Sequence, residues 1–205
     1  MKIESEAVKV NLIGGRLCLD FTNTVGGRIE SIIIKERLEN YTDLVAWSRY
    51  AGLLTDKEAR HLLSLAGKRA AQAEAVLRRA ATLREAIYRI FESVLNGSQP
   101  DRKDLDRLNR ELAEAKEHEW LVHTRDGFIW EWKESGNALD YMLWVVSRSA
   151  AELLTSEDLG RVHRCGGESC GWLFLDISRN RSRQWCDMKV CGNLAKVRRF
   201  RQRER

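Results

Sequence analysis

The sequence predicts an α+β protein with a mostly helical N-terminal domain, which includes β-hairpins, and a small C-terminal module that ends in a basic helix. Three observations support this fold class. A single proline, Pro100, occurs in 205 residues of which 43% are hydrophobic, so long periodic segments run without a helix breaker. Glycine-containing turns separate short alternating segments, as in hairpins. Four of the five cysteines lie between residues 165 and 191.

The N-terminal part is predicted to begin with a hairpin. Residues 8–13 (VKVNLI) are rich in β-branched side chains, the glycine pair 14–15 can form a tight turn, and residues 17–22 (LCLDFT) alternate. After the glycine pair 26–27, the isoleucine run 32–34 is expected to lie in a loop.

Apolar periodicity and capping residues predict five helices after this loop. Thr42 or Asp43 can cap the first, and Thr55 with Glu58 has capping-box spacing at the start of the second. The first is expected over residues 43–51, and the last three are expected over residues 69–95, 101–116 and 138–154.

A second hairpin is predicted before the last of these helices. Residues 120–123 and 128–132 flank the turn 125–127. The composition becomes basic and cysteine-rich after residue 155, so we expect one domain over residues 1–155 and a second over residues 156–205.

Charge is distributed unevenly along the chain. Residues 161–205 carry 12 Lys and Arg against 4 Asp and Glu, a net charge of +8, whereas the preceding residues carry 23 against 26, a net charge of −3. This asymmetry indicates a nucleic-acid or other anionic partner for the C-terminal module, with a solvated basic tail as the alternative.

The cysteine cluster has the spacing of a metal site. Cys165 and Cys170 form one close pair, Cys186 and Cys191 a second, and a longer loop joins them. Tetrahedral zinc takes four thiolates from two such turns. We therefore expect one structural zinc ion in a treble-clef- or knuckle-like finger. Four separately buried cysteines or an iron–sulfur cluster remain alternatives.

Two other residues that could bind a metal, His163 and Cys18, are expected to pack instead. A free cysteine such as Cys18 behaves as a small apolar side chain. A module this small buries little apolar surface, so the metal should contribute most of its folding free energy, roughly ten kcal/mol or more. Its loss should then unfold the module and leave the N-terminal helices intact. The expected miniature core consists of Trp172, Leu173, Phe174, Leu175 and Trp185.

Basic side chains surround the cysteines on two segments. Arg179, Arg181 and Arg183 alternate between the two cysteine pairs. A helix from about residue 192 is expected to turn Val197 and Phe200 inward. Because guanidinium groups match phosphate oxygens and a helix fits the major groove, we expect double-stranded DNA as the partner. The candidate contacts on this helix are Lys196, Arg198, Arg199, Arg201 and Arg203.

Residues 170–203, with LFLD, SRNRSR, WC-x-M and the cysteine pattern in order, resemble the CGNR zinc-finger family. Residues 14–24 (GGRLCLDFTNT) and the following helices resemble the ABATE domain that accompanies this finger. The resemblance implies a bacterial, cytoplasmic regulator of stress-induced transcription whose finger binds DNA and whose four cysteines bind zinc. The chain departs from the family at Leu194 and Gln184, where arginines are usual, which puts DNA affinity in question.

The N-terminal motif suggests a ligand site, because Asp20, Asn23 and Thr24 bring polar side chains together after a predicted strand. An Asx-type turn or helix cap is the favoured alternative.

The sequence shows no catalytic constellation, so we do not expect an enzyme. An RNA-binding or ribosome-associated module, or an enzyme with its site in the N-terminal domain, remain rival hypotheses, and a homodimer remains open. The polar start and the absence of a long apolar segment predict a cytoplasmic protein without a membrane partner.

Overall fold

The computed structural model describes residues 11–133 and 136–203. Within these ranges it is an α+β protein of helices and three antiparallel two-stranded hairpins. A 3-10 turn at Glu157–Arg161 precedes the cysteine-rich part, and a π turn at Met188–Gly192 contains its last cysteine, Cys191. The elements are α1 Leu17–Thr22, β1 Arg28–Ile29, β2 Ile32–Ile33, α2 Tyr41–Tyr50, α3 Asp56–Lys68, α4 Ala70–Leu95, α5 Arg102–Glu117, β3 Glu119–Thr124, β4 Gly127–Trp132, α6 Tyr141–Leu154, β5 Val162–Arg164, β6 Leu173–Leu175 and α7 Asn193–Arg203.

The predicted first hairpin is wrong. Residues 17–22 form the helix α1, residues 11–13 have no regular structure, and residues 8–10 lie outside the described part of the chain. Helix α1 packs against α4, α6 and β6, so it is covered on several sides. A short segment enclosed in this way has no face of exposed polar residues. The spacing of its apolar residues therefore does not distinguish a helix from a strand.

Capping residues position the helices that follow. Asn40, rather than Thr42 or Asp43, caps α2, and Asp43 returns a bond to the Asn40 backbone as the third helical residue. The capping box of Thr55 and Glu58 is confirmed at α3. The expected loop after residue 27 contains the short hairpin β1–β2.

Helix α4 is the centre of the N-terminal core. It contacts α1, α2, α3, α5 and α6, and its apolar face includes Leu83, Ile87 and Phe91, all buried. The hairpin β3–β4 was predicted and is confirmed, with Glu119 opposite Trp132 and Thr124 opposite Gly127.

The cysteine-rich module shares this core. Leu173 and Leu175 on β6 belong to the large apolar cluster of the N-terminal helices, whereas Phe174 points the other way, toward Cys165 and Cys186. The alternation of a strand explains this division. The expectation of a separate miniature core is therefore wrong for Leu173 and Leu175 and correct for Phe174 and the tryptophans beside it. The division into domains at residue 155 stays a prediction.

Candidate metal centre and nucleic-acid interface

Four cysteine sulfurs meet at one point of the module. The Sγ atoms of Cys165, Cys170, Cys186 and Cys191 all lie within 4.8 Å of one another. The Sγ of Cys186 lies 3.5 Å from that of Cys170 and 3.7 Å from that of Cys191. Tetrahedral zinc with Zn–S bonds of about 2.3 Å requires sulfurs about 3.8 Å apart. The donor set and its spacing therefore fit one zinc ion with no open coordination position.

Two turns present these ligands. The first runs between β5 and β6, where Cys165 N–H donates to Trp172 O (2.8 Å) and Cys170 N–H donates to Gly167 O (3.0 Å). We call residues 165–171 the first knuckle. The second turn leads into α7 and is capped by Asp187, whose carboxylate accepts from Lys189 N (2.6 Å). Strand pairing and a capped turn thus bring the four sulfurs together.

The thiols influence one another electrostatically. Hydrogen bonds from Cys170 and Cys186 lower the pKa of Cys165 to about 2, while the contact with Cys165 raises the pKa of Cys170 to about 12. Four thiolates this close together repel one another, and a divalent cation bound between them would compensate their charge.

Cys18 and His163 lie outside the group of ligands. Cys18 is fully buried in the large core, its backbone N–H donates to Ser149 Oγ (3.1 Å), and burial raises the pKa of its thiol to about 12. The ring of His163 packs against Phe174 with centroids 5.9 Å apart. Both residues pack, as expected from the sequence.

A buried carboxylate holds the arginine-rich loop between the cysteine pairs. Asp176 accepts from Ser178 N (2.8 Å) and from Arg183 N (2.9 Å). The hydrogen bond from the Ser178 side chain is the strongest cause of a lowered pKa at Asp176, about 2, and these backbone bonds lower it further. The loop that carries Arg179 and Arg181 is therefore closed at both ends by one ionised side chain.

Two of the eight basic candidates already have partners within the module. Arg183 stacks over Phe174 at 4.5 Å, its Nε donates to Trp185 O (2.9 Å), and its other nitrogen donates to Cys186 O. Arg183 therefore supports the metal site, which the sequence did not indicate. Arg198 pairs with Glu168 of the first knuckle at 2.6 Å.

Five of the remaining candidates lie on the surface. The side chain of Arg203 is outside the described part, and the exposed ones are Arg179, Arg181, Lys196, Arg199 and Arg201. The expected inward packing of α7 is wrong, because Val197 is 48% and Phe200 63% exposed. Leu194, in place of the family arginine, is 56% exposed. Helix α7 thus begins at the metal site and then presents both its apolar and its basic sides to solvent.

The polar side chains of the N-terminal motif are buried and bonded within the chain. Asp20 accepts from Gly14 N (2.7 Å), and Thr24 donates to Phe21 O (2.7 Å). The amide of Asn23 donates to Leu173 O (2.8 Å) and accepts from Leu173 N (2.9 Å). These bonds join the start of the chain to β6, and a small-molecule ligand at these residues stays a prediction.

An ion-pair network behind the first knuckle was not apparent from the sequence. Arg28 makes two bonds to Glu85 (2.6 and 2.9 Å), and Arg84 makes two to Glu36 (2.7 and 2.6 Å). Arg84 Nε also donates to Glu85 (2.9 Å), which joins the two pairs. The backbone N–H of Arg28 donates to Cys170 O (3.0 Å). No spacing along the sequence connects these residues, since only folding brings them together.

These features define a class of protein, a helical domain joined through a common core to a four-cysteine zinc module with an arginine-rich surface. The family model described as "ABATE: Putative stress-induced transcription regulator" matches residues 15–157. The model of the CGNR zinc finger matches residues 161–204. The chain therefore belongs to the ABATE family and carries a CGNR zinc finger with one structural zinc ion. A comparison with curated proteins found no match.

Among the described residues, none of the helices combines the length and apolar character that a membrane span requires.

Proposed function

We propose that this chain is a cytoplasmic transcription regulator that binds double-stranded DNA through residues 161–203, mainly by phosphate contacts. The observation that carries the proposal is the set of exposed arginines on a loop and a helix that are both attached to the zinc site. Rigid placement matters because each guanidinium then loses little conformational freedom on meeting a phosphate.

Charge supports this assignment to the finger. The segment after residue 160 carries a net charge of +8, which a zinc ion with four thiolates reduces to about +6. The remaining residues carry a net charge of −3 and are repelled by phosphate. The family description, a regulator of transcription, agrees with a nucleic-acid partner.

Salt dependence of binding to labelled duplex DNA tests the proposal. Each neutralised phosphate adds about −0.9 to the slope of log affinity against log salt, so four to six contacts give a slope of about −4 to −5. Arg199→Ala should weaken binding to all duplexes and flatten the slope by about one. Arg102→Ala, an exposed arginine on α5, is the matched control and should change neither quantity.

Two outcomes would overturn the proposal. One is equal effects of Arg199→Ala and Arg102→Ala, which would mean that the finger surface is not the binding surface. The other is stronger binding to structured RNA than to duplex DNA at the same salt concentration, which would favour the RNA-binding hypothesis.

A further inference from the structure

The hairpin β3–β4 exposes large apolar side chains, three of them on one face and two, Trp120 and Ile129, on the other. Alternate residues of a strand share a face, so Phe128 and Trp130 on β4 lie beside Leu121 on β3. Phe128 is 69%, Trp130 57% and Leu121 56% exposed. We call this surface the Phe128 face. Monomeric proteins seldom expose apolar patches larger than a few hundred Å².

A groove opens at the base of the same face. It has a volume of about 320 Å³ and lies between the hairpin and helices α5 and α6. Its apolar lining is Leu112, Ala115, Trp130, Trp132 and Ala151. The hairpin base is held in place because Trp132 packs against Tyr141 and Trp144, with ring centroids 6.3 and 6.1 Å apart.

We propose that the Phe128 face binds a second copy of this chain, with Phe128 of each copy in the groove of the other. A twofold interface is self-complementary, so one face must carry both a projecting group and the hollow that receives it. Phe128 is next to the hairpin turn, and the groove is at the hairpin base, so the two are separated along one face.

Area and charge support this occupant. Aromatic side chains bury roughly 150–250 Å² each, so Phe128, Trp130 and Leu121 offer about 400 Å². With the groove lining added, two copies bury roughly 1,000 Å² in total, which is the lower end for a specific interface. The turn carries Arg125 and Asp126. The groove carries both signs as well, since Arg148 pairs with Glu119 and Glu152 and Lys116 lies beside them, so two copies do not bring charges of a single sign together. The proposal is independent of DNA binding.

Sedimentation velocity of the full zinc-loaded chain tests the proposal over a range of concentrations. The wild type should sediment as a dimer at micromolar concentrations, and Phe128→Glu should sediment as a monomer. Ile129→Glu is the matched control, because Ile129 is the next residue and is half exposed on the opposite face of the hairpin. It should remain dimeric.

A second variant tests the groove itself. Ala151→Phe fills the groove and leaves Phe128 unchanged, so it should also give a monomer, with circular dichroism confirming an intact fold. A wild type that stays monomeric at all concentrations overturns the proposal. So does equal dissociation by Phe128→Glu and Ile129→Glu, or binding of a different protein at this face while the chain alone stays monomeric.

Discussion

Asp20 is a buried carboxylate whose environment opposes its charge. Burial raises its pKa from an ordinary value of 3.8 to about 6, and the backbone N–H groups of Gly14 and Ile13 offset only part of this effect. The folded protein therefore holds this proton more tightly than the unfolded chain. The residue contributes its full stabilisation below about pH 4, and that contribution is lost as the pH rises through about 6.

This shift predicts a pH-dependent difference between the wild type and Asp20→Asn. Each pKa unit corresponds to about 1.4 kcal/mol, so between pH 4 and pH 7 the wild type should lose roughly 2 kcal/mol relative to the variant, which has no titrating group at this position. Urea unfolding of both proteins at each pH measures this difference. Asp126→Asn, at the exposed hairpin turn, should show none. A constant difference between the wild type and Asp20→Asn would contradict the assignment.

Single residues differed in how far their roles could be predicted. The four zinc ligands were predicted because thiolate chemistry and close spacing are both visible in the sequence. Arg183 was predicted as a DNA contact, which stays a prediction, and it also donates to Trp185 O and Cys186 O. Its partners are backbone carbonyls of a turn, and no residue type marks their position in a sequence.

At the level of elements, the first knuckle is held against the hairpin β1–β2 and helix α4. A side chain at Gly27 would overlap the carbonyl oxygen of Ser169, and one at Gly171 would lie 2.9 Å from Cβ of Arg28. Both glycines also have positive φ, 142° and 60°. The close approach places the buried Arg28 next to Glu85, so the position of the metal site depends on an ion-pair network in the helical domain.

Glu85→Gln tests this network. Although burial raises the pKa of Glu85, the hydrogen bonds and charge of Arg28 hold it below its ordinary value. Without the negative charge of Glu85, the buried guanidinium groups of Arg28 and Arg84 keep one carboxylate of this network, that of Glu36. Breaking a buried pair costs about 3–5 kcal/mol. Because the Glu85 side chain is 24% exposed, solvent screening reduces the expected cost to about 2–4 kcal/mol.

The matched control lies on the same helix. Glu74 pairs with Arg78 at 2.7 Å, but both side chains are mostly exposed, so Glu74→Gln should cost less than about 1 kcal/mol. Chemical denaturation of the zinc-loaded variants compares the two. Equal small losses would show that the network behind the first knuckle contributes little.

Long periodic elements were predicted well and short enclosed ones were not. Helix α4 was expected over residues 69–95 and is found at Ala70–Leu95, because its pattern repeats over many turns. Helix α1 was expected to be a strand, since the contacts that enclose its six residues come from α4, α6 and β6. Tertiary contacts, rather than local preference, decide the structure of so short a segment.

At the scale of the whole molecule, the helical domain and the zinc finger are continuous in the core. Val162, Leu173 and Leu175 lie in the same apolar cluster as the N-terminal helices. Asn23 bonds to both backbone groups of Leu173, and Leu175 N–H donates to Gly14 O at 2.8 Å. Composition and charge indicated a helical part and a cysteine-rich part. Neither property shows that strand β6 contributes one face to the core of the helices and the other face to the cluster around the cysteines.

This continuity changes what the loss of zinc should do. The sequence alone suggested that the finger would unfold and leave the helices intact. Because β6 lies between the two clusters, the displacement of Phe174 and the cysteines on one face withdraws Leu173 and Leu175 from the other. We therefore expect metal removal to lower the stability of the helical domain as well.

Cys186→Ser and Cys18→Ala separate these effects. Elemental analysis should find about one zinc per chain in the wild type and in Cys18→Ala, and almost none in Cys186→Ser. Structural zinc contributes roughly 10–16 kcal/mol in comparable peptides. Part of that should appear as a lower melting temperature of the helical signal in Cys186→Ser, measured by circular dichroism at 222 nm, a wavelength that reports helix. If the helices of Cys186→Ser melt at the wild-type temperature, the finger folds as a separate unit, and the apolar cluster shared by β6 and the helices does not couple their stabilities. Iron in place of zinc, with visible absorbance, would contradict the metal assignment itself.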